Sequence, residues 1–398
     1  MTACESAIRL PLNLPEFRVL EQQVQTNLGQ IMLWVESRQP GARCPRCQRR
    51  SRQDLGDDHW RTAQDLSAME YQVVLKIRQR RLWCRHCQRR FYEPFDRVDV
   101  QQRQSKRLQA HLLSLARGSS LQAAAQQSPV SYRILHYLYF KWLRRPPEER
   151  PLPRRIGIDE FALRKGHHYA TVITGLTRAY VWGLVRERTQ AALEGLLRRP
   201  GACLERVKEV VIDMWEPFFL AVKSCLPKAH IVIDRFHVER HLYAAVDECR
   251  KRLSGRQKKH PLKQAHKLFL TPVDQLTVEQ KQQRQTLLEA YPELARAVHL
   301  AERFHRWYSR LSSREQANNQ LSYWLRELCT AGIPELQAFA QMVNRWRRYI
   351  VNYFRSRSTN GRSEGFNTKI KLLKRLSYGR LRFEHLAARI LRECGFSP

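Results

Sequence analysis

Three aspartates close apolar, strand-like runs in this chain: Ile156-Gly157-Ile158-Asp159, Val210-Val211-Ile212-Asp213 and Ile231-Val232-Ile233-Asp234. A fourth acid, Glu364, lies much further along, in Ser363-Glu364-Gly365-Phe366-Asn367-Thr368-Lys369-Ile370-Lys371. A carboxylate carried by a buried strand is destabilising unless something compensates it. Two or three such acids find that compensation most readily in divalent metal ions. Lys and Arg number 71 against 37 Asp and Glu, a formal net charge of +34, so the group most readily drawn to those metals is a phosphodiester. These residues predict a metal-dependent enzyme acting on nucleic acid, and specifically a DNA strand-transferase.

A second set of candidate ligands is Cys44-Pro45-Arg46-Cys47 with Cys84-Arg85-His86-Cys87. Two C-x2-C knuckles offer four thiolates from two tight turns, the spacing of a tetrahedral zinc site. All four ligands are protein thiolates, so the expected Zn²⁺ is structural. The alternating stretch Tyr71 to Arg78 reads as a hairpin strand leading into the second knuckle, as in a zinc ribbon. Arginines crowd both knuckles (Arg43, Arg46, Arg49, Arg50, Arg85, Arg89 and Arg90 among them), which places the ribbon against phosphates.

Elements able to position these groups can be read along the chain. After an N-terminal segment (1–40) and the ribbon (41–95), Leu108, Leu112, Leu113 and Leu115 have helical spacing, Gly118-Ser119-Ser120 interrupts, and a short helix starts at Leu121. A third helix over 131–143 would pack through Ile134, Leu135 and Leu138 and expose Tyr132, Arg133, His136 and Lys141. This is the layout of a helix-turn-helix over 100–145, with Tyr132, Arg133 and Lys141 as candidate DNA contacts. A proline-rich linker (146–153) follows.

Strands are expected at 156–161, 169–175 and 179–186, with turns at Lys165-Gly166-His167-His168 and Leu176-Thr177-Arg178. A helix near 189–199, a strand at 209–213, a helix near 216–225 and a strand at 230–234 complete the first part of a core (154–237). Three antiparallel strands followed by alternating helix and strand is the order of an α/β ribonuclease-H-like fold, with strand one central and strand four its parallel neighbour. Adjacent strands are about 4.8 Å apart, so Asp159 and Asp213 can share metals, whereas Asp234 lies about 10 Å from strand one. Asp234 and His237 are therefore expected as hydrogen-bonded support. The competing assignment makes Asp234 the second ligand and Asp213 a helix cap. Residues 238–355 read as an all-α insertion, whose Trp307, Trp324 and Trp346 are either core or base-stacking residues. The core then resumes over 356–398, where Ser363 can cap a helix placing Glu364, Asn367 and Lys371 on one face, with Lys374 and Arg375 further along as phosphate contacts.

Composition narrows the alternatives. A chain of 398 residues with 43% hydrophobic content supports several folded domains. No segment reaches the roughly 18 apolar residues of a spanning helix, and no signal peptide is evident, so a cytoplasmic, nucleoid-associated protein without membrane contact is expected.

Ile158-Asp159-Glu160-Phe161, the Asp213 strand, Asp234-Arg235-Phe236-His237, and Ser363 to Lys371 continuing into Lys374-Arg375-Leu376-Ser377-Tyr378-Gly379 together resemble insertion-sequence transposases of the DDE class. The nearest group is the bacterial one called the ISL-three type, with an N-terminal zinc ribbon and helix-turn-helix. The resemblance implies catalytic acids at Asp159, Asp213 and Glu364 holding two Mg²⁺ or Mn²⁺ ions. It also implies double-stranded DNA partners (inverted-repeat ends and target) and a homodimer or larger assembly on DNA. A transposase-derived regulator with an inert core, and a structure-specific nuclease, are the competing function classes.

Overall fold

Between Gln30 and Glu36, and again between Gln72 and Arg78, every second residue is apolar and buried: Ile31, Leu33, Val35, then Val73, Leu75, Ile77. That period of two is what a half-buried strand requires. In the computed structural model, which describes residues 12–146, 150–164, 166, 168–255, 260–271, 273–310, 313–378 and 381–395, both stretches are strands. The chain forms two compact units, Met1–Arg145 with Leu376–Tyr378, and Pro146–Arg375 with Gly379–Pro398. Lys165 and His167 of the expected turn, Pro147 to Glu149 of the expected linker and Gly379 of the basic run lie outside the described residues.

In the first unit the strands are β1 (Phe17–Gln25), β2 (Gln30–Ser37), β3 (Ala42–Arg43), β4 (Arg50–Ser51), β5 (Gln53–Asp54), β6 (His59–Gln64), β7 (Gln72–Gln79), β8 (Arg81–Cys84), β9 (Arg89–Tyr92), β10 (Val98–Asp99) and β11 (Gln104–Ser105). A six-stranded sheet has the order β1-β2-β7-β6-β11-β10, while the ribbon is built from β3-β4 and β5-β8-β9. The stretch Tyr71 to Arg78 was expected to belong to the ribbon. Instead β7 pairs in parallel with β2 and antiparallel with β6. Its buried residues join Leu14, Phe17, Ile31, Leu33 and Val35 in one core, more apolar surface than a small ribbon can cover. The segment before residue 41 is thus woven into a sheet with residues that follow the first knuckle.

Three helices complete this unit: α1 (Lys106–Gly118), α2 (Leu121–Gln126) and α3 (Tyr132–Arg144). The Ser105 hydroxyl accepts the Leu108 N–H at 3.1 Å and donates to the buried Asp65 carboxylate at 2.6 Å, tying the start of α1 to the sheet. Leu135, Leu138, Tyr139 and Leu143 form the buried stripe of α3. Ile134, expected in that stripe, is exposed. It sits 100° round the helix from Leu135, outside the arc that α1 and α2 cover.

The second unit is built on β12 (Arg155–Arg164), β13 (His168–Gly175), β14 (Tyr180–Val185), β15 (Glu209–Ile212) and β16 (His230–Ile233), in the order β14-β13-β12-β15-β16. The first three strands pair antiparallel; β15 runs parallel to β12 and to β16. Helices α4 (Gln190–Leu197) and α5 (Glu216–Cys225) supply the connections that parallel pairing needs. From α6 (Arg235–Ser254) the chain is helical through α7 (Pro261–Gln264), α8 (His266–Leu270), α9 (Val278–Ala290), α10 (Pro292–Arg310), α11 (Arg314–Thr330), α12 (Pro334–Ile350) and α13 (Tyr353–Ser356). One continuous apolar core runs from Ile156, Ile158 and Trp182 of the sheet to Trp307, Trp324 and Trp346 of these helices. The opposite sheet face, with Phe161, Ala170, Val172 and Val181, packs on α14 (Gly361–Leu376) and α15 (Phe383–Glu393). Among the described residues no helix is long and apolar enough to cross a membrane.

Candidate active site

Strand alternation decides which way each acid of β12 points. Glu160 lies on the α4 side of the sheet, so Asp159 must face α14. There the Asp159 carboxylate accepts the Asn367 side-chain amide at 2.8 Å and the Glu160 backbone N–H at 2.7 Å. β15 ends one residue before Asp213, and its parallel pairing with β12 brings that carboxylate alongside. One ligand atom each from Asp159, Asp213 and His237 lie within 4.8 Å of one another. His237, on the first turn of α6, places Nε2 at 2.9 Å from Asp213 Oδ1, and among the described residues its Nδ1 has no hydrogen-bond partner.

Electrostatics follow from this crowding. Burial, with the Asp213 charge adding to it, pushes the Asp159 carboxyl up to about 6. Burial pulls the His237 imidazole down, but the hydrogen bond and charge of Asp213 outweigh it and the net shift is upward. Two carboxylates and one imidazole converge in a largely buried site. That donor set fits a divalent cation, which would supply the positive charge the acids lack.

Asp234 plays another part. Only 2% exposed, it accepts the Asn360 backbone N–H at 3.2 Å, while Asn360 Nδ2 donates to the Ile158 carbonyl at 3.2 Å. Burial raises its carboxyl above the ordinary range. It stands 3.9 Å from His237, so it anchors the start of α14 and borders the cluster without joining it. The alternative role for Asp213 as a helix cap has no support here, because α5 begins after Trp215 with no side-chain cap.

Helix α14 starts at Gly361, two residues earlier than the Ser363 cap expected from sequence. Ser363 is buried within the first turn and hydrogen-bonds Thr174. Glu364 is exposed, one turn before Asn367, and lies outside the three-residue cluster. Lys371 and Arg375 are exposed too, whereas Lys374 donates to the Ala162 carbonyl at 2.7 Å, turning that ammonium onto β12. In the first unit, Tyr132 and Arg133 are exposed on α3; Lys141 is half-buried, with its ammonium 5.8 Å from the Tyr137 ring.

Two residues that position this site escaped the reading of its acids. A Cβ on Gly157 would lie 2.3 Å from Asn360 Oδ1 and 2.7 Å from Ser363 Oγ, so α14 can seat on β12 only where there is no side chain. A glycine inside a strand was the available signal. Gly157→Ala is expected to destabilise the protein by about 1 to 3 kcal/mol through overpacking and to displace Asn367 from Asp159. Thermal unfolding checks it, and an unchanged melting temperature would refute the close-approach argument.

The four knuckle cysteines form the second cluster, with their sulfurs within 4.8 Å of one another and pairwise approaches of 3.6 Å (Cys44 to Cys87) and 3.5 Å (Cys47 to Cys84). Tetrahedral thiolates at about 2.3 Å from Zn²⁺ need sulfur separations close to these, so the site fits. Gln48 and Gln88 follow the two knuckles at equivalent places, with φ of 59° and 53° turning each chain back. Backbone N–H groups, chiefly that of Cys47, hold the Cys44 thiol down at about 6, and that of Cys87 foremost lowers Cys84. Desolvation foremost pushes Cys87 up to about 12.

Paired carboxylates at neighbouring parallel strands, a tetrathiolate ribbon and a large cationic surplus are the features expected of a metal-dependent enzyme of nucleic acid. Comparison with known proteins places it more closely. A family model of ISL3-type DDE transposases, described as a transposase, matches residues 156–390, and one described as the zinc-finger of transposase IS204/IS1001/IS1096/IS1165 matches 40–87. The chain is 31% identical over 350 residues to the transposase for insertion sequence element IS1001 of Bordetella parapertussis, a match covering 84% of each. The chain belongs to the ISL3 transposase family and is a transposase.

Proposed function

We propose that this transposase binds the terminal inverted repeats of an insertion sequence, hydrolyses a phosphodiester at each end, and joins the freed 3′ hydroxyl to target DNA. The observation that carries the reading is the convergence of Asp159 and Asp213 from adjacent parallel strands, with Asn367 of α14 on the first of them. The mixed sheet order, strand one central beside strand four, supports a ribonuclease-H-like core. Two Mg²⁺ or Mn²⁺ ions would supply activation of water and stabilisation of the leaving oxygen.

The remaining work falls to side chains. Asp159 and Asp213 would hold the ions, and Asn367 fixes the orientation of Asp159. Glu364 completes the site by rotating its side chain inward: residues three apart on a helix have Cβ atoms about 5 to 6 Å apart, within reach of a glutamate flanking Asn367. His237 faces an Asp213 oxygen and would have to yield it to a bound ion, and Asp234 holds α14 in place. Lys371 and Arg375 contact backbone phosphates. In the first unit, α1 to α3 act as a helix-turn-helix and the ribbon lies on phosphates. The protein works on double-stranded DNA as a dimer or larger assembly.

Incubation with a fragment bearing the native element ends, with nicking and joining resolved strand by strand, tests the reading. Mg²⁺-dependent nicking at the end followed by joining is expected. Binding with no cleavage would instead indicate a regulator with an inert core, and cleavage with no joining a nuclease. For the helix-turn-helix, Arg133→Ala should weaken binding to the native end by about 1 to 3 kcal/mol with little change on random DNA. Equal losses on both would make Arg133 a phosphate contact.

A further inference from the structure

The large tryptophans of the helical insertion are closed to any ligand: Trp307, Trp324 and Trp346 are 8%, 6% and 6% exposed. A different indole stands open just past Asp213 in the chain. Trp215, two residues past Asp213, is 38% exposed. Its Nε1–H donates to the Arg188 carbonyl at 3.2 Å, which restrains the ring. The Arg188 guanidinium lies 4.7 Å from the centroid of that ring and 4.4 Å from the Tyr169 ring. The guanidinium is thus within cation–π distance of both rings. One terminal nitrogen of Arg188 also donates to both oxygens of Glu160, at 3.2 and 3.1 Å.

These rings and the guanidinium are therefore tied to the two segments that carry the acids: to Glu160, which follows Asp159 and points to the other face of β12, and to Trp215, just beyond Asp213. Trp215 is not part of the apolar core that takes in its neighbours Met214 and Phe219. Burial does not account for so large an exposed ring held by a hydrogen bond and a neighbouring cation. Rigid aromatic faces backed by arginine are what unpaired nucleobases bind, because every base has a π-face and the guanidinium adds attraction for the adjoining phosphate.

We propose that Trp215, supported by Arg188, Tyr169 and Glu160, is a stacking platform for one unpaired base next to the scissile phosphodiester. This rests on the reading of the chain as an end-cleaving transposase and adds a nucleotide-binding site to it. A base–aromatic stack changes an equilibrium roughly 5- to 150-fold.

The probe is a native-end duplex carrying 5-iodouracil at successive positions across the cleavage point, bound to full-length Asp159→Asn protein so that it stays uncut. Irradiation should link one position to Trp215, as located by mass spectrometry. In the otherwise wild-type protein, Trp215→Ala should slow cleavage on the order of 10-fold or more, and Trp215→Phe much less. Mispairing or removing the linked base should restore most of the Trp215→Ala rate, because the duplex then opens without a platform; a folding defect would not respond to the DNA in this way. The proposal is overturned if wild-type protein cuts the end while cross-links fall elsewhere, on the exposed Phe236 included. It is equally overturned if Trp215→Ala is as slow on mispaired as on paired DNA, or cuts paired DNA at the wild-type rate. Wild-type protein that cuts no element end would instead remove the transposition reading.

Discussion

Asp159→Asn, Asp213→Asn and Glu364→Gln are each expected to give folded protein that binds the element end and leaves its phosphodiesters uncut. Metal-ion stabilisation of the reacting oxygens is worth several kcal/mol, so losing one ligand should reduce cleavage roughly 1000-fold or more. The fold should not suffer. Because burial and Asp213 raise the Asp159 carboxyl to about 6, ionisation is disfavoured in the folded state. That penalty is absent below the ordinary value of 3.8, grows as pH rises, and is complete above about 6, so the amide variant escapes it at neutral pH. Metal-free Asp159→Asn should melt no lower than the unsubstituted protein.

Asp234→Asn should behave differently. An asparagine oxygen can still accept the Asn360 backbone N–H, so the seat of α14 weakens without vanishing. A loss of about 10- to 100-fold with detectable strand transfer is expected, as for other groups that orient ligands. Single-turnover cleavage of the same end by all four variants checks the set. If Asp234→Asn abolished cleavage while Asp213→Asn retained it, the metal pair would have to be reassigned to Asp159 and Asp234.

Cys47→Ser or Cys84→Ser should release the zinc, unfold the ribbon and weaken specific end binding, leaving a basal affinity for any DNA that falls steeply with salt. Structural zinc contributes about 10 to 16 kcal/mol in small zinc domains, comparable with the whole stability of a typical fold. The damage should stay local. The ribbon core of Cys44, Leu82, Cys84 and Phe91 is separate from the sheet core of Leu14, Phe17, Ile31, Leu33 and their neighbours. Hydrogen exchange should therefore rise across 42–54 and 81–92 while β2 and β7 stay protected. Metal analysis of the intact chain finding no zinc, or variants that keep full end specificity, would count against a structural zinc ribbon.

Much of this was legible in the residues. Strands β12 to β16 and helices α4 and α5 lie within a residue or two of the expected bounds, apart from β12, which runs on to Arg164. Alternation, turn residues and short apolar runs are local signals that burial then reinforces. The C-x2-C spacing likewise marked two pairs of ligands, each closed within its own turn, and the ribbon strands then bring the pairs together. Local signals failed where packing partners lay elsewhere. Nothing within Tyr71 to Arg78 says that its buried face needs β2, some forty residues upstream. Ile134 fits a helical stripe on spacing alone, and only the neighbouring helices decide that Leu135, not Ile134, faces inward.

For the site itself, the amino-acid order determined which acids end strands and therefore which can meet. The tertiary structure decided what surrounds them. Asn367 reaches Asp159 across 208 residues, Asn360 joins Asp234 across 126, and both depend on a bare Gly157 that lets α14 lie against β12. His237 belongs with Asp213 because the first turn of α6 follows β16, the parallel neighbour of β15. A carboxylate at the end of a strand is a local fact. Whether it is buried, neutralised or oriented depends on side chains that only the folded chain brings within a few ångströms.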